Sequence, residues 1–429
     1  MKMRSAFALT LVATSLLLGG CAPAVLPSSA ARPSPRPTEP NTTPTETPAA
    51  ATSNPPGPTP TTTPALSNNN LQSARQQIVV GPDPQNVPQG YNPLTGLPVS
   101  DASALALPAV LISITNFPPS SRPQAGLSFS PWVYEIYIAE GMTRYLATFY
   151  GDFPRSEIQG SQASAGTASQ PAAASASGVV GPVRSGRLPY VYIRDSFQGS
   201  CLVYAGATEQ IRARLRGCAM VFGSDSTNIN SAMLDVTRMH KIAEENHQPA
   251  DKFNYTGNLF APQSPAQGLP ASVINIFYSF LNQAQWKYDD TAGMYLKYDD
   301  FADGSGKFKR ATDRLTGRQL AFSNVIVLFA QHTALEPYII DIDLNAGEKG
   351  RAVIFRDGHR FDAIWTTVNG PYEQSTGLRR PIRFVDANGN PFPLKPGQSW
   401  VHVVTVPSQV IDQGNAAWLV RFFAPAGAK

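Results

Sequence analysis

Histidine and cysteine are scarce in this chain. Five histidines and three cysteines are spread over 429 residues. His240, His247, His332, His359 and His402 never form H-x-x-x-H, and no Cys-x-x-Cys occurs. A zinc centre built on either pattern is excluded. His240 and His247 could share one helix face, where an exposed polar surface accounts for them. Charge is also thin, at 15% of residues with a net +4. No Lys/Arg-rich run carries interleaved aromatics, so nucleic acid is not an expected partner. No second apolar stretch reaches membrane-spanning length after the first twenty residues. "VRSGR" (183–187) is not the G-x-S-x-G of a nucleophile elbow. "DIDLNAG" (341–347) alternates acids like a calcium loop. Its glycine comes one place late, and Ala352 stands where the closing glutamate belongs. Ile340, Ile342 and Leu344 read instead as the buried face of a strand. "DDFADGSG" (299–306) fails the same spacing and reads as a polar turn. No cofactor and no metal are expected.

What is present begins at the N-terminus. Lys2 and Arg4 precede the apolar run "AFALTLVATSLLL" (6–18), which ends in "LGGC" (18–21). The run suits a signal-peptide core. Leu, two small residues and Cys form a lipobox, so residues 1–20 are read as a lipoprotein signal peptide. Cys21 is the expected lipid attachment site. Two or more acyl chains would anchor the protein stably to the membrane. The expected location is extracytoplasmic, tethered by that cysteine.

Residues 21–90 are crowded with Pro, Thr and Ser and carry few large apolar side chains. Such a segment cannot bury enough surface to offset its ordering entropy. It is read as a disordered stalk. A second low-complexity stretch, "SQASAGTASQPAAASASG" (161–178), reads as a surface insert.

The remainder is read as two domains. Residues 91–285 give an α+β (mixed α/β) domain, with strands at 109–116, 132–140 and 143–153 and Glu140-Gly141 as a turn. "CLVYAG" (201–206), a short helix at 207–217 and "CAMVFG" (218–223) make a β-α-β pattern. An amphipathic helix is expected over 231–247. Residues 286–429 give a mainly antiparallel β domain, with Asp357-Gly358 as a type I′ hairpin turn. If the strands opened by Cys201 and Cys218 are parallel neighbours, their sulfurs can meet in a disulfide, which an extracytoplasmic compartment permits. Two buried free thiols are the alternative.

"NPLTGLPV" (92–99), "SSRPQAGLS" (120–128), "VYEIYIAEGMTRYLATF" (133–149) and "GPVRSGR" (181–187) resemble the signatures of the YerB-like bacterial lipoproteins. "TGRQLAFSNVIVLF", "IDIDL" and "FVDANGNPFPLKPGQSWVHVV" resemble that family's C-terminal domain. The resemblance runs in order from Tyr91 to about Val406. It implies a two-domain lipoprotein and no known activity. The family pattern has a histidine in the strand before the short helix; Tyr204 stands there in this chain.

The polar residues of these signatures are Asn116, Arg122, Glu135, Glu140, Arg144, Arg184 and Arg187. Gly181 and Pro182 set a stiff turn that aims the last two. One reading is a buried ion-pair network, with Arg144 paired to Glu140 across the turn. The other is a cleft whose arginines receive a phosphate or carboxylate. A third, weaker reading takes Glu135 and Glu140 as an acid–base pair of a glycan-cleaving enzyme. Two functions follow. One is a tethered binding or scaffold module for a cell-envelope component or an envelope protein. The other is an envelope enzyme acting on a phosphorylated or glycan substrate through the Arg/Glu cluster.

Overall fold

The computed structural model describes residues 78–154, 178–247 and 253–429. The expected signal peptide, Cys21, the stalk up to residue 77 and all of the insert but Gly178 lie outside them. The ordered body starts earlier than Tyr91. Val80 is buried and exchanges backbone hydrogen bonds of 2.9 and 2.8 Å with Phe260. Short apolar Ile78-Val79-Val80 supplies a strand-like pairing partner that the neighbouring prolines hid in the composition.

In chain order the main strands are β1 (Val110–Thr115), β2 (Trp132–Ala139), β3 (Met142–Phe149), β4 (Cys201–Tyr204), β5 (Ala219–Met220), β6 (Val273–Ser279), β7 (Asn282–Asp289), β8 (Met294–Asp300), β9 (Asn324–Ala330), β10 (Lys349–Arg356), β11 (His359–Thr366), β12 (Arg383–Val385), β13 (Ser399–Thr405), β14 (Gln409–Gly414) and β15 (Ala417–Arg421). Among the described residues helices are few and short: α1 (Tyr190–Ser196), α2 (Glu209–Leu215), α3 (Val236–Glu245) and α4 (Pro371–Thr376). The protein is mostly β.

Eleven strands form one sheet in the order Leu269–Pro270, β11, β10, β9, β13, β2, β3, β1, β4, β5, with β12 beside β11. Seven form a second: Phe308–Arg310, β8, β7, β6, β15, β14, with Ala321–Phe322 beside β8. The large sheet crosses the expected domain border. β13 runs parallel to β2, with Trp400 opposite Val133 and His402 opposite Glu135. β6 likewise pairs in parallel with β15. The border at 285/286 falls inside β7. Strands bonded to neighbours on both sides and covered on both faces read as continuous apolar runs, as in "NVIVLFA" and "WVYEIYIA". All residues of β2, β9 and β13 are buried. Strands β6 to β8 alternate buried and half-buried positions, because their sheet has one wet face.

Both expected hairpin turns form. Glu140 and Gly141 have φ of 51° and 71°, and Asp357 and Gly358 have 52° and 70°, the left-handed pair a two-residue hairpin requires. β4 and β5 are parallel, and the structure joins Cys201 to Cys218 as a disulfide, their Cα atoms 5.5 Å apart. The helix expected over 231–247 is shorter. Leu234 and Asp235 pair with Val179 and Val180 instead. Asp235 then caps α3, its Oδ1 accepting from Thr237 N at 2.8 Å. Ladder bonds and a strong N-cap outweigh helical periodicity in the preceding residues. The residues read as a polar turn at 299–306 also divide: Asp299 and Asp300 close β8 and are buried, and the loop starts at Phe301.

Candidate functional site

The β2–β3 hairpin decides which signature residues meet. In its register Glu135 lies opposite Tyr145, and Ile136 opposite Arg144. Side chains alternate faces along a strand. Glu135, Thr143 and Tyr145 therefore point at the second sheet, while Arg144 points to the opposite face. The sheet divides the signature residues into two groups.

The first group is a sealed polar network between the sheets. Glu135 is buried and accepts from Thr143 Oγ1 at 2.8 Å, Trp400 Nε1 at 3.1 Å and Asn116 Nδ2 at 3.5 Å. His402 stands beside this carboxylate. Trp286 Nε1 donates to His402 Nε2 at 3.0 Å, so the ring proton sits on Nδ1, 3.3 Å from Glu135 Oε2. Burial, and then Lys297, push the imidazole well below its usual range, so this contact is not an ion pair. Burial raises the Glu135 value, against the pull of Lys297 and the Thr143 and Trp400 donors. Lys297 Nζ is bonded to Asp299 Oδ1, and both are buried. Burial raises the Asp299 value, but Lys297 and Arg122 more than offset it. Arg122 is saturated: Nη1 reaches Asp300 Oδ1 at 2.9 Å, and Nη2 reaches Asn116 Oδ1 at 3.1 Å. Asn116, Arg122 and Glu135 thus hold the two sheets together and reach no solvent.

Glu140 belongs to neither group. It is exposed at the hairpin turn and accepts from Tyr338 at 3.2 Å. The expected Glu140–Arg144 pair does not form, because the turn directs the two side chains apart. Glu135 and Glu140 do not converge as an acid–base pair either.

The second group is Arg144, Arg184 and Arg187. The "GPVRSGR" segment is not the tight turn expected. It runs extended past the end of β1, with Val183 bridged to Ile114 and Arg184 N donating to Ser113 O at 2.8 Å. It takes the place beside β1 that β4 vacates after Ile112. The arginines so gather where the parallel strands β1 and β4 end, the side on which open sheets with parallel strands bind ligands. Gly186 is required there: a Cβ would strike Leu215 and come 3.3 Å from the Tyr204 ring. Tyr204 is thus a packing wall for this segment.

These arginines are poorly partnered. Arg144 Nη1 donates to Ser185 O at 3.1 Å, and Arg187 Nη1 to Gly186 O at 3.1 Å. All three Nε atoms are buried without a hydrogen-bond partner. No described carboxylate forms an ion pair with any of them, whereas Arg122 and Arg356 each have one. Burial, then Arg187, pull the Arg144 value down to about 9, with Tyr190 opposing and Arg184 adding. Burial and then Arg187 lower Arg184; burial lowers Arg187 against Tyr190. A guanidinium stays charged at physiological pH. The cost therefore appears as mutual repulsion of three cations in a partly dry site, which an anion would relieve.

Sequence reasoning missed Lys297, Asp299, His402 and Trp400. A usable signal was the alternation in "YLKYD", which puts Lys297 and Asp299 on the buried face with Tyr295.

Among the histidines, His332 carries a measurable consequence. It is buried, its Nδ1 donates to Ala330 O at 2.9 Å, and its Nε2 has no partner. Burial lowers it from 6.5 to about 4. Between these values the unfolded chain holds a proton that the folded one refuses. Stability is intact above pH 6.5 and falls as pH drops toward 4, by about 3 kcal/mol from this group. Urea denaturation at pH 7, 5 and 4 should show His332→Gln losing less stability than the parent. Parallel losses would refute the assignment.

Two family models match the chain. "Protein of unknown function (DUF3048) N-terminal domain" covers residues 94–259, and the corresponding C-terminal domain covers 274–401. The chain belongs to the DUF3048 family. The gap between the DUF3048 models lies before or at the start of β6, upstream of the border expected at 285/286. The chain is similar to "Putative lipoprotein YerB" of Bacillus subtilis (strain 168), with 26% identity over 332 residues, 73% of this chain and 85% of that protein. It also matches the crystal structure of YerB from Bacillus subtilis with a TM-score of 0.52 and 23% identity, covering 73% of this chain and 96% of that one. The likeness to the crystal structure is one of fold. No helix among the described residues is long and apolar enough to cross a membrane.

Proposed function

We propose that this DUF3048 protein is an extracytoplasmic, membrane-tethered binding module that receives an anionic component of the cell envelope at Arg144, Arg184 and Arg187. The observation that carries the reading is the set of three partly to fully buried guanidinium groups with orphaned Nε atoms and no carboxylate partner among the described residues. A chain that spends so little of its composition on charge gathers three like charges where each raises the cost of the others. The binding reading is favoured over the enzyme reading because the two glutamates that would supply acid–base chemistry lie elsewhere. The lipobox at 18–21 supplies the tether, in keeping with a relative named as a lipoprotein.

Two measurements test this. Cys21→Ala should move the protein from the membrane fraction to the soluble one or leave it as an unprocessed precursor. Normal membrane retention of the variant would end the tether reading. Arg184→Ala and Arg187→Ala should weaken the heat signal of a phosphate titration while far-UV circular dichroism stays unchanged. An undiminished titration would end the anion reading.

A further inference from the structure

We infer that the anion received at Arg144, Arg184 and Arg187 is a phosphoryl group carried on a saccharide. This rests on the anion-binding reading above and narrows it to a ligand class. Among the described residues the site offers three guanidinium groups and no acid ion-paired to them. A carboxylate brings one negative charge and two oxygens. A phosphoryl group brings up to two charges and three oxygens, enough to engage each guanidinium separately. The free Nε atoms are the inner donors of the side-on fork, and in Arg144 and Arg187 one Nη is already committed to a main-chain carbonyl. The Nη2 atoms of Arg144 and Arg187 and both Nη atoms of Arg184 are left for a ligand, whose charge also compensates the buried, unpartnered Nε groups behind them.

The second part of the ligand is read from Phe222. It follows β5 and is 68% exposed, among the most exposed large apolar side chains described. Its Cε1 stands 3.7 Å from where a Cβ on Gly206 would lie, and the Gly206 carbonyl accepts the N–H of Gly186 at 2.9 Å. The aromatic ring therefore flanks the segment that carries Arg184 and Arg187. Met220, two residues earlier, is also exposed. An exposed aromatic ring flanking the segment that carries two of the cations suits a ligand with a charged end and a ring whose C–H face packs on an aromatic, the usual division of labour in ligand sites. A sugar phosphate has both parts.

Calorimetry on the full-length protein in mild detergent tests this with four probes: inorganic phosphate, acetate, glycerol 1-phosphate and α-glucose 1-phosphate. The expected order is glucose 1-phosphate about tenfold tighter than inorganic phosphate, and phosphate at least about tenfold tighter than acetate. Phe222→Ala should remove the sugar's advantage and leave phosphate binding unchanged. Equal affinity for phosphate and acetate would overturn the inference and leave the anion-binding reading standing. Glycerol 1-phosphate matching glucose 1-phosphate, with Phe222→Ala silent, would also overturn it and point to a lipid headgroup. Absence of binding by every probe would overturn both.

Discussion

Lys297→Met lowers the unfolding free energy by about 3–5 kcal/mol, because it takes from the buried Asp299 carboxylate its directly bonded counter-charge and leaves only the more distant Arg122. Lys297 sits between the sheets, bonded to Asp299, with its Nζ 4.9 Å from the centre of the Trp400 ring and 5.7 Å from that of Tyr145. Its charge also opposes the burial of Glu135. Methionine keeps most of the volume, so little of the loss is cavity. The double change Lys297→Met with Asp299→Leu should recover much of the stability, since an apolar pair can replace a buried ion pair at little cost. Urea denaturation of both variants checks this. A single variant as stable as the parent, or a double variant worse than the single, would show that the network is not held by this charge.

Arg144→Met should behave in the opposite way. Arg144 is as buried as many core residues, yet its removal strands no carboxylate. It also relieves Arg184 and Arg187 of a like charge. Without ligand the variant should melt at or above the temperature of the parent. The stabilisation given by phosphate should largely vanish. In the parent that stabilisation is about 2.7 kcal/mol when phosphate is a hundredfold above its dissociation constant. Thermal melts with and without phosphate read both quantities. A large destabilisation of the ligand-free variant would mean that Arg144 is a structural residue after all.

Local features of the fold were legible in the sequence, and distant ones were not. The turns at Glu140-Gly141 and Asp357-Gly358 follow from glycines, and at the second from an aspartate, that accept a left-handed backbone. The strands at 132–139 and 324–330 follow from apolar and β-branched runs. The adjacency of Cys201 and Cys218 follows from a short β-α-β unit. The pairing of β2 with β13 has no local signature. It joins segments 265 residues apart, as the Trp400–Glu135 bond measures. That pairing brings His402 and Trp400 to Glu135. The candidate site was half legible for the same reason. The residue types were visible, but the hairpin register that sends Glu135 and Arg144 to opposite faces depends on a β-bulge between Tyr137 and Ala139, which the two-residue turn does not announce. What Arg144 meets on its own face depends on where residues 181–187 run, and only the folded chain shows that.

The parallel seating of β2 against β13 also sets a schedule. β2 is an eight-residue apolar strand, and on one side it pairs at once with β3. Its other edge waits for a strand made 265 residues later. At about 5–20 residues per second, synthesis alone leaves that edge open for roughly 13–53 s. An uncovered apolar edge is a template for pairing with other chains. That open edge is an aggregation hazard for the nascent protein, and conditions that slow synthesis of its C-terminal half should show up first as aggregation.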